Sequence, residues 1–344
     1  MTDSPAVEIA PWKYDAPFVY SITYDEATID AISNSYPIHQ EYDIPGHVCA
    51  VSGYLGTQRI ERGTSMREVF HMSPEQLRFL ADRGWTVSSH SHSHCPTGQE
   101  GIDLDLEVRV SKIELEKALG TPVRLLAFWN DLAIEDQIRP IAQQAGYLGI
   151  LGIAHPFNGP DFDVWHIARG TVGRDMEMWV AEPIASMYHH TREAFPGNLT
   201  RENTRGKWLV DITHLVVNRL PKACGEGLWN RCSTPAMLDA RLSEVRALWG
   251  EDVWAAVPED VVEYTLLRRA ATPMASQPDE GRIVCTVRLN ALPAGLQSRE
   301  LSFTAHVPWS SVRVNGGAIP AGLRDGVALW TAAVHDGAQF VLSP

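Results

Sequence analysis

Between residues 18 and 213 the chain repeats one pattern, a short β-branched and aromatic run followed by a stretch with helical signals. The strand candidates are 18–24, 48–52, 85–88, 123–128, 148–153 and 208–213. Helical signals between them are specific. Ser73-Pro74-Glu75-Gln76 predicts a helix with Ser73 as cap, Pro74 at the first position and Gln76 closing a capping box. Leu77, Leu80 and Ala81 form its apolar stripe, and Gly84 stops it. Further helices are expected near 105–119, around Pro140, from Thr234-Pro235 to Trp249-Gly250, and over about 259–269. Strands that alternate with helices pair in parallel, because each crossover needs a helix to return the chain. The fold class expected is therefore α/β, a parallel sheet or a (β/α) barrel, and in such barrels chemistry collects on loops at the C-terminal strand ends.

Asp25, Glu26, His90, His94, Asn130 and His214 all fall at such ends. The densest of these places is Ser88-Ser89-His90-Ser91-His92-Ser93-His94-Cys95-Pro96, with three imidazoles on alternate positions. If the chain turns helical there, His90 and His94 share one face and His92 points away, either supporting a ligand from behind or exposed to solvent. Two neutral imidazoles need one more protein ligand and a water to make a catalytic zinc site. The adjacent acids Asp25 and Glu26 are candidates for it. Alone they would read as a solvated loop or a helix cap.

Beyond Pro273 the period changes to two: 282–289, 301–307, 312–315, 327–333 and 339–342 alternate between Pro, Gly and Asn turns. The expected division is a barrel over 1–272 and a small β-sandwich-like accessory domain over 273–344, a packing module without a catalytic cluster. Residues 1–17 are punctuated by proline and are expected to lie over the surface.

The formal net charge is −13, with no run of Lys or Arg, which argues against nucleic acid, anionic membranes and polyanionic substrates. No window approaches a membrane span, and the N-terminus shows neither a basic start nor an apolar run. A cytoplasmic location follows, or an extracytoplasmic one if a signal has been removed. The five cysteines are scattered, and reduced thiols are expected, although Cys224 and Cys232 could pair after export. A homo-oligomer is left open.

Together these positions resemble the polysaccharide deacetylase (NodB-homology, carbohydrate esterase) family. Thr23-Tyr24-Asp25-Glu26 is similar to that family's Thr-Phe-Asp-Asp signature, and His90 through His94 to its His-Ser/Thr-x-x-His motif. Thr213-His214 resembles its late Leu-x-His motif, and the helix from Ser73 to Gly84 is similar to the one that precedes the histidine pair. The resemblance covers roughly residues 15–270, implies a distorted (β/α) barrel of the deacetylase type, and departs twice. Glu26 stands where the family has Asp, and Ala127-Phe128-Trp129-Asn130-Asp131 replaces Arg-Pro-Pro-Tyr-Gly, so the arginine that braces the catalytic acid is missing there. Arg169 is a candidate substitute.

The resemblance implies zinc, or another divalent ion such as Co²⁺ or Ni²⁺, held by Glu26, His90 and His94. It implies Asp25 as general base, His214 as general acid and a backbone N–H near Asn130 at the oxyanion. The expected substrate is an N- or O-acetylated carbohydrate, on which Trp129 and Trp165 would stack unless they serve packing. Two other functions stay open: hydrolysis of a C–N bond in a small amide or cyclic ureide, and an inactive carbohydrate-binding protein. His189-His190 has no evident partner and is expected on the surface.

Overall fold

The computed structural model describes residues 7–60, 66–96, 100–129, 134–152, 157–172, 199–219, 232–279 and 281–344. Two compact units result, residues 18–259 and residues 1–17 with 260–344. The N-terminal strand β1 (Val7–Ile9) belongs to the second.

The first unit is built on β2 (Phe18–Asp25), every residue of which is buried. Its successors are β3 (His47–Ala50), β4 (Thr86–Ser89), β5 (Leu125–Ala127), β6 (Gly149–Leu151), β7 (Phe157–Asn158), β8 (Gly170–Thr171), β9 (Lys207–Thr213) and β10 (Val253–Ala255). They form one sheet in the order β6-β5-β4-β3-β2-β9-β7, with β10 on β2 and β8 on β9. One edge of β2 is shared: β10 pairs with Phe18–Tyr20 and β3 with Thr23–Asp25, while β9 runs along the other edge from Phe18 to Tyr24. These pairings are parallel, and β7 joins β9 antiparallel. The result is a mixed α/β fold with a curled half-barrel sheet, as the alternation requires.

Burial on both sides follows from helices covering a parallel sheet. Phe18, Tyr20, Ile22 and Tyr24 of β2 join Val48, Val87, Leu126, Ile150 and Leu209 in a core with helical Leu77, Leu80, Leu115, Leu238 and Leu242. The intervening side chains of β2 are polar towards its end: Thr23 hydrogen-bonds to the Asp211 carbonyl, and Asp25 meets Arg169. The period of two thus puts packing on one face and chemistry on the other. Helix α1 (Tyr36–Tyr42) follows a π turn at Ala31–Ser35. Helix α2 (Pro74–Ala81) carries the expected capping box, and Gly84 follows with φ 83°. Helix α3 (Ser111–Leu119) continues a π turn at Leu106–Val110 and stops at Gly120, φ 74°. Helix α4 (Glu135–Gln144) contains Pro140. Among the described residues no helix is long and apolar enough to cross a membrane.

The second unit holds two four-stranded antiparallel sheets formed by β1 with β11 (Ala271–Asp279), β12 (Arg282–Leu289), β13 (Glu300–His306), β14 (Arg313–Val314), β15 (Ala321–Arg324), β16 (Val327–Ala333) and β17 (Gln339–Ser343). Their orders are β1-β13-β16-β15 and β11-β12-β17-β14. Phe303, Trp330 and Phe340 form its aromatic centre, with ring centroids 5.2–6.2 Å apart. Residues 7–9 pair with β13 instead of lying loose over the surface, because Val7 and Ile9 flank Glu8 in strand alternation too short to register as a signal. Pro273 lies inside β11, where an edge strand tolerates the missing N–H.

Candidate metal centre

At the end of β2 the chain turns sharply, with Glu26 at φ 75° and Ala27 at φ 48°, both in the left-handed region. Such a conformation persists only where its surroundings hold it. Here His71 Nδ1 donates to the Glu26 carbonyl at 2.8 Å and the Met72 N–H to the Ala27 carbonyl at 2.9 Å. The Glu26 side chain is buried and accepts from Arg59 Nη2 at 2.6 Å on Oε2. Burial works against its charge, but His94, Arg59 and His71 outweigh it and hold the carboxyl down at about 2.

After β4 the chain does not turn helical. His90 is anchored by its N–H to the Ala50 carbonyl at 2.8 Å, and Ser91 and His94 then take φ 69° and 53°. His90 and His94 therefore meet through a loop with two left-handed residues, their ring centroids 5.0 Å apart. The buried Glu107 carboxylate holds this loop, accepting from the His92 and Ser93 N–H groups at 3.0 and 2.9 Å and from Ser93 Oγ at 2.6 Å. His92 turns away to Glu114, 2.8 Å from its Nδ1. Replacing Glu107 with Ala strands two loop N–H groups, each costing about 1–3 kcal/mol. A drop of that order in urea-unfolding free energy is expected, with Glu107→Gln losing less.

His90 Nδ1 donates to the Ala127 carbonyl at 3.2 Å, which leaves Nε2 with its lone pair. Burial drives the His90 pKa down to about 4, so the ring is neutral at ordinary pH. His94 Nε2 lies 3.3 Å from Glu26 Oε1, and one ligand atom each from Glu26, His90 and His94 fall within 4.8 Å of one another. Ligands about 2.0–2.2 Å from a zinc ion sit a little over 3 Å apart, a spacing that His94 and Glu26 already have and to which the set, within 4.8 Å, would contract around one. Two borderline imidazole donors with one hard carboxylate suit Zn²⁺, Co²⁺ or Ni²⁺, and the hydrogen bond on the far nitrogen of His90 is what a ligating imidazole requires. The residues fit a metal.

Asp25 lies beside them, its Oδ2 3.6 Å from His90 Nε2. Arg169, fully buried, donates to Asp25 Oδ1 at 2.8 Å and Oδ2 at 3.4 Å, to Thr23 Oγ1 at 3.1 Å, and through Nε to the Gly152 carbonyl at 2.8 Å. Burial again opposes the charge on Asp25, and Arg169, His90 and His214 more than offset it, holding the carboxyl well below the usual range. His214, half-buried just past β9, is thus close enough for its charge to act on Asp25. Its loop is fixed from the β2 side: Asp30 Oδ2 accepts from the Val216 N–H at 2.6 Å and Asn34 Nδ2 donates to the Val216 carbonyl at 2.7 Å.

With this geometry in view, sequence comparison assigns the segment that carries it. Residues 14–150 match the polysaccharide deacetylase family model. The resemblance read from the motifs is borne out there. No curated protein matches the chain. Solved structures similar to it include the Streptococcus pyogenes deacetylase PplD in complex with acetate, 21% identical over 43% of this chain and 62% of that one, TM-score 0.36. The BpsB deacetylase domain from Bordetella bronchiseptica is 18% identical over 43% of this chain and 69% of its own, TM-score 0.37. A de-N-acetylase from Aggregatibacter actinomycetemcomitans is 15% identical over 43% and 68%, TM-score 0.33.

The matched segment contains Asp25, Glu26, His90 and His94, whereas Arg169 and His214 lie beyond it. Trp129 is buried, and its indole N–H donates to the Cys95 carbonyl at 3.0 Å, tying the histidine loop to β5. Trp165 is partly buried against the core. Asn130, His189, His190 and Cys224 lie outside the described residues, while Cys49 and Cys285 are free thiols. Arg59, His71 and Glu107 escaped the sequence reading. Arg59 and His71 sit in loops with no periodic pattern, and Glu107 reads as one more acid on a helix.

Proposed function

We propose that this chain is a metal-dependent hydrolase that removes acetyl groups from an N- or O-acetylated carbohydrate. The convergence of Glu26, His90 and His94 beside an arginine-clamped Asp25 carries the reading, and the family match over residues 14–150 supports it. Glu26, His90 and His94 would hold the ion. A bound Zn²⁺, Co²⁺ or Ni²⁺ supplies Lewis acidity at the acetyl carbonyl and lowers the pKa of water. Asp25, kept ionised, accepts the proton of the attacking water. Arg169 binds Oδ1 more closely than Oδ2, so Oδ2, the oxygen nearer His90, is the one available for that proton. His214, at the neighbouring strand end, delivers a proton to the leaving amine or alkoxide. A backbone N–H near Asn130 is kept as the proposed oxyanion donor, and the unit of residues 18–259 is assigned the whole of the chemistry.

The test is acetate release from N-acetylhexosamine oligomers and acetylated xylan, before and after metal removal with a chelator. Release should vanish on chelation and return with Zn²⁺, Co²⁺ or Ni²⁺. Ammonia release from small amides or ureides without acetate release from any sugar would overturn the reading, as would acetate release indifferent to the chelator.

A further inference from the structure

The carboxylate of Glu26 is one methylene farther from the backbone than an aspartate, which gives it an extra torsion and the choice of binding a cation through one oxygen or both. The structure shows what removes that choice. Arg59, 4% exposed, lies with Nη2 2.6 Å from Oε2 and Nη1 3.5 Å from Oε1. Its guanidinium is fixed from several directions. The carbon sits 4.4 Å from the Tyr54 ring centroid, and Tyr54 in turn stacks on His71 at 5.3 Å. Backbone bonds from Glu68 N–H to the Arg59 carbonyl at 2.8 Å and from His71 N–H to the Thr57 carbonyl at 3.0 Å hold the segment that carries Arg59 against the one that carries His71. His71 grips the Glu26 carbonyl, so the same two-stranded loop fixes both the backbone and the carboxylate of that residue.

We infer that Arg59 is a positioning residue that makes Glu26 a one-oxygen ligand, reserving Oε2 for the guanidinium and leaving Oε1, 3.3 Å from His94 Nε2, for the ion. This rests on the metal-centre reading above. A guanidinium that occupies one carboxylate oxygen favours a four-coordinate ion and disfavours the fifth bond that a chelating carboxylate would add. The longer side chain at position 26 is thereby accommodated through Arg59.

The test uses the full chain, stripped of metal and titrated with Co²⁺, whose visible absorption is strong in four-coordinate sites and weaker in five-coordinate ones. Wild-type protein is expected to give the strong band. Arg59→Met should bind Co²⁺ about 10–100-fold more weakly and with a weaker band, as the released carboxylate closes on the ion through both oxygens. Arg59→Lys keeps the buried charge and hence the fold, but replaces the planar fork with a shorter point charge, and should give an intermediate band. The inference is overturned if Arg59→Lys, and Arg59→Met where it folds, match wild type in both affinity and spectrum. Failure of the wild-type protein itself to bind Co²⁺ would instead overturn the metal-centre reading, so the two failures are distinguishable.

Discussion

Asp25→Asn is expected to lower acetate release by about 10²–10⁴-fold, the usual contribution of a positioned general base, with bound metal retained. Asp25 does not belong to the group whose ligand atoms converge, yet its Oδ2 lies 3.6 Å from His90 Nε2 at the edge of that group. The amide that replaces it is nearly the same size and cannot take up a proton. A merely structural carboxylate would behave otherwise: its loss would reduce metal content and activity in step. The decisive readouts are therefore acetate release and metal stoichiometry on the same preparation. If Asp25→Asn keeps wild-type turnover with full metal, Asp25 is not the base.

Arg169→Met is expected to destabilise the metal-free protein by about 3–5 kcal/mol at neutral pH, because it strands a buried carboxylate. The sign of its pH dependence identifies the cause. In the wild type the depressed pKa of Asp25 stabilises the fold above the ordinary Asp value near pH 4, and that contribution is lost as pH falls through the lower folded value. Without Arg169, burial is opposed chiefly by the smaller influences of His90 and His214, and the Asp25 pKa of the variant is expected to rise above the unfolded value. Stability of the variant is then greatest at low pH and falls as pH rises. The gap between wild type and Arg169→Met should accordingly narrow from pH 7 to pH 4 in urea unfolding. The double variant Asp25→Asn/Arg169→Met should lose less than the two single losses added together, since neither partner is left charged and alone. A gap independent of pH would mean that Arg169 contributes packing rather than charge.

The barrel was legible because its signals are local. Period-two runs, the Ser73–Gln76 capping box and the stop glycines Gly84 and Gly120 are each read within a few residues, and the elements lie where those signals put them. The acids and histidines were legible as a set for a related reason: a parallel sheet brings all its C-terminal strand ends to one side, so strand-end position alone narrows the candidates. Local signals say little about how a loop turns. The helical face proposed for His90 and His94 gave way to a loop with left-handed Ser91 and His94, stabilised by Glu107 from a different element. Arg169 could be named as a candidate but not placed, since it reaches Asp25 across 144 positions of sequence. Arg59 could not be named at all. Its partner Glu26 is 33 positions away, and nothing in Gln58-Arg59-Ile60 distinguishes a buried guanidinium from a solvated one.

The central claim is that one divalent ion sits between Glu26, His90 and His94. Crystals of the zinc-loaded protein, with diffraction recorded on either side of the zinc absorption edge, test it most directly. The account predicts a single anomalous peak about 2.0–2.2 Å from a Glu26 carboxylate oxygen and from one nitrogen of each imidazole. A peak coordinated by other residues, or its absence from these three in crystals that contain zinc, would contradict it.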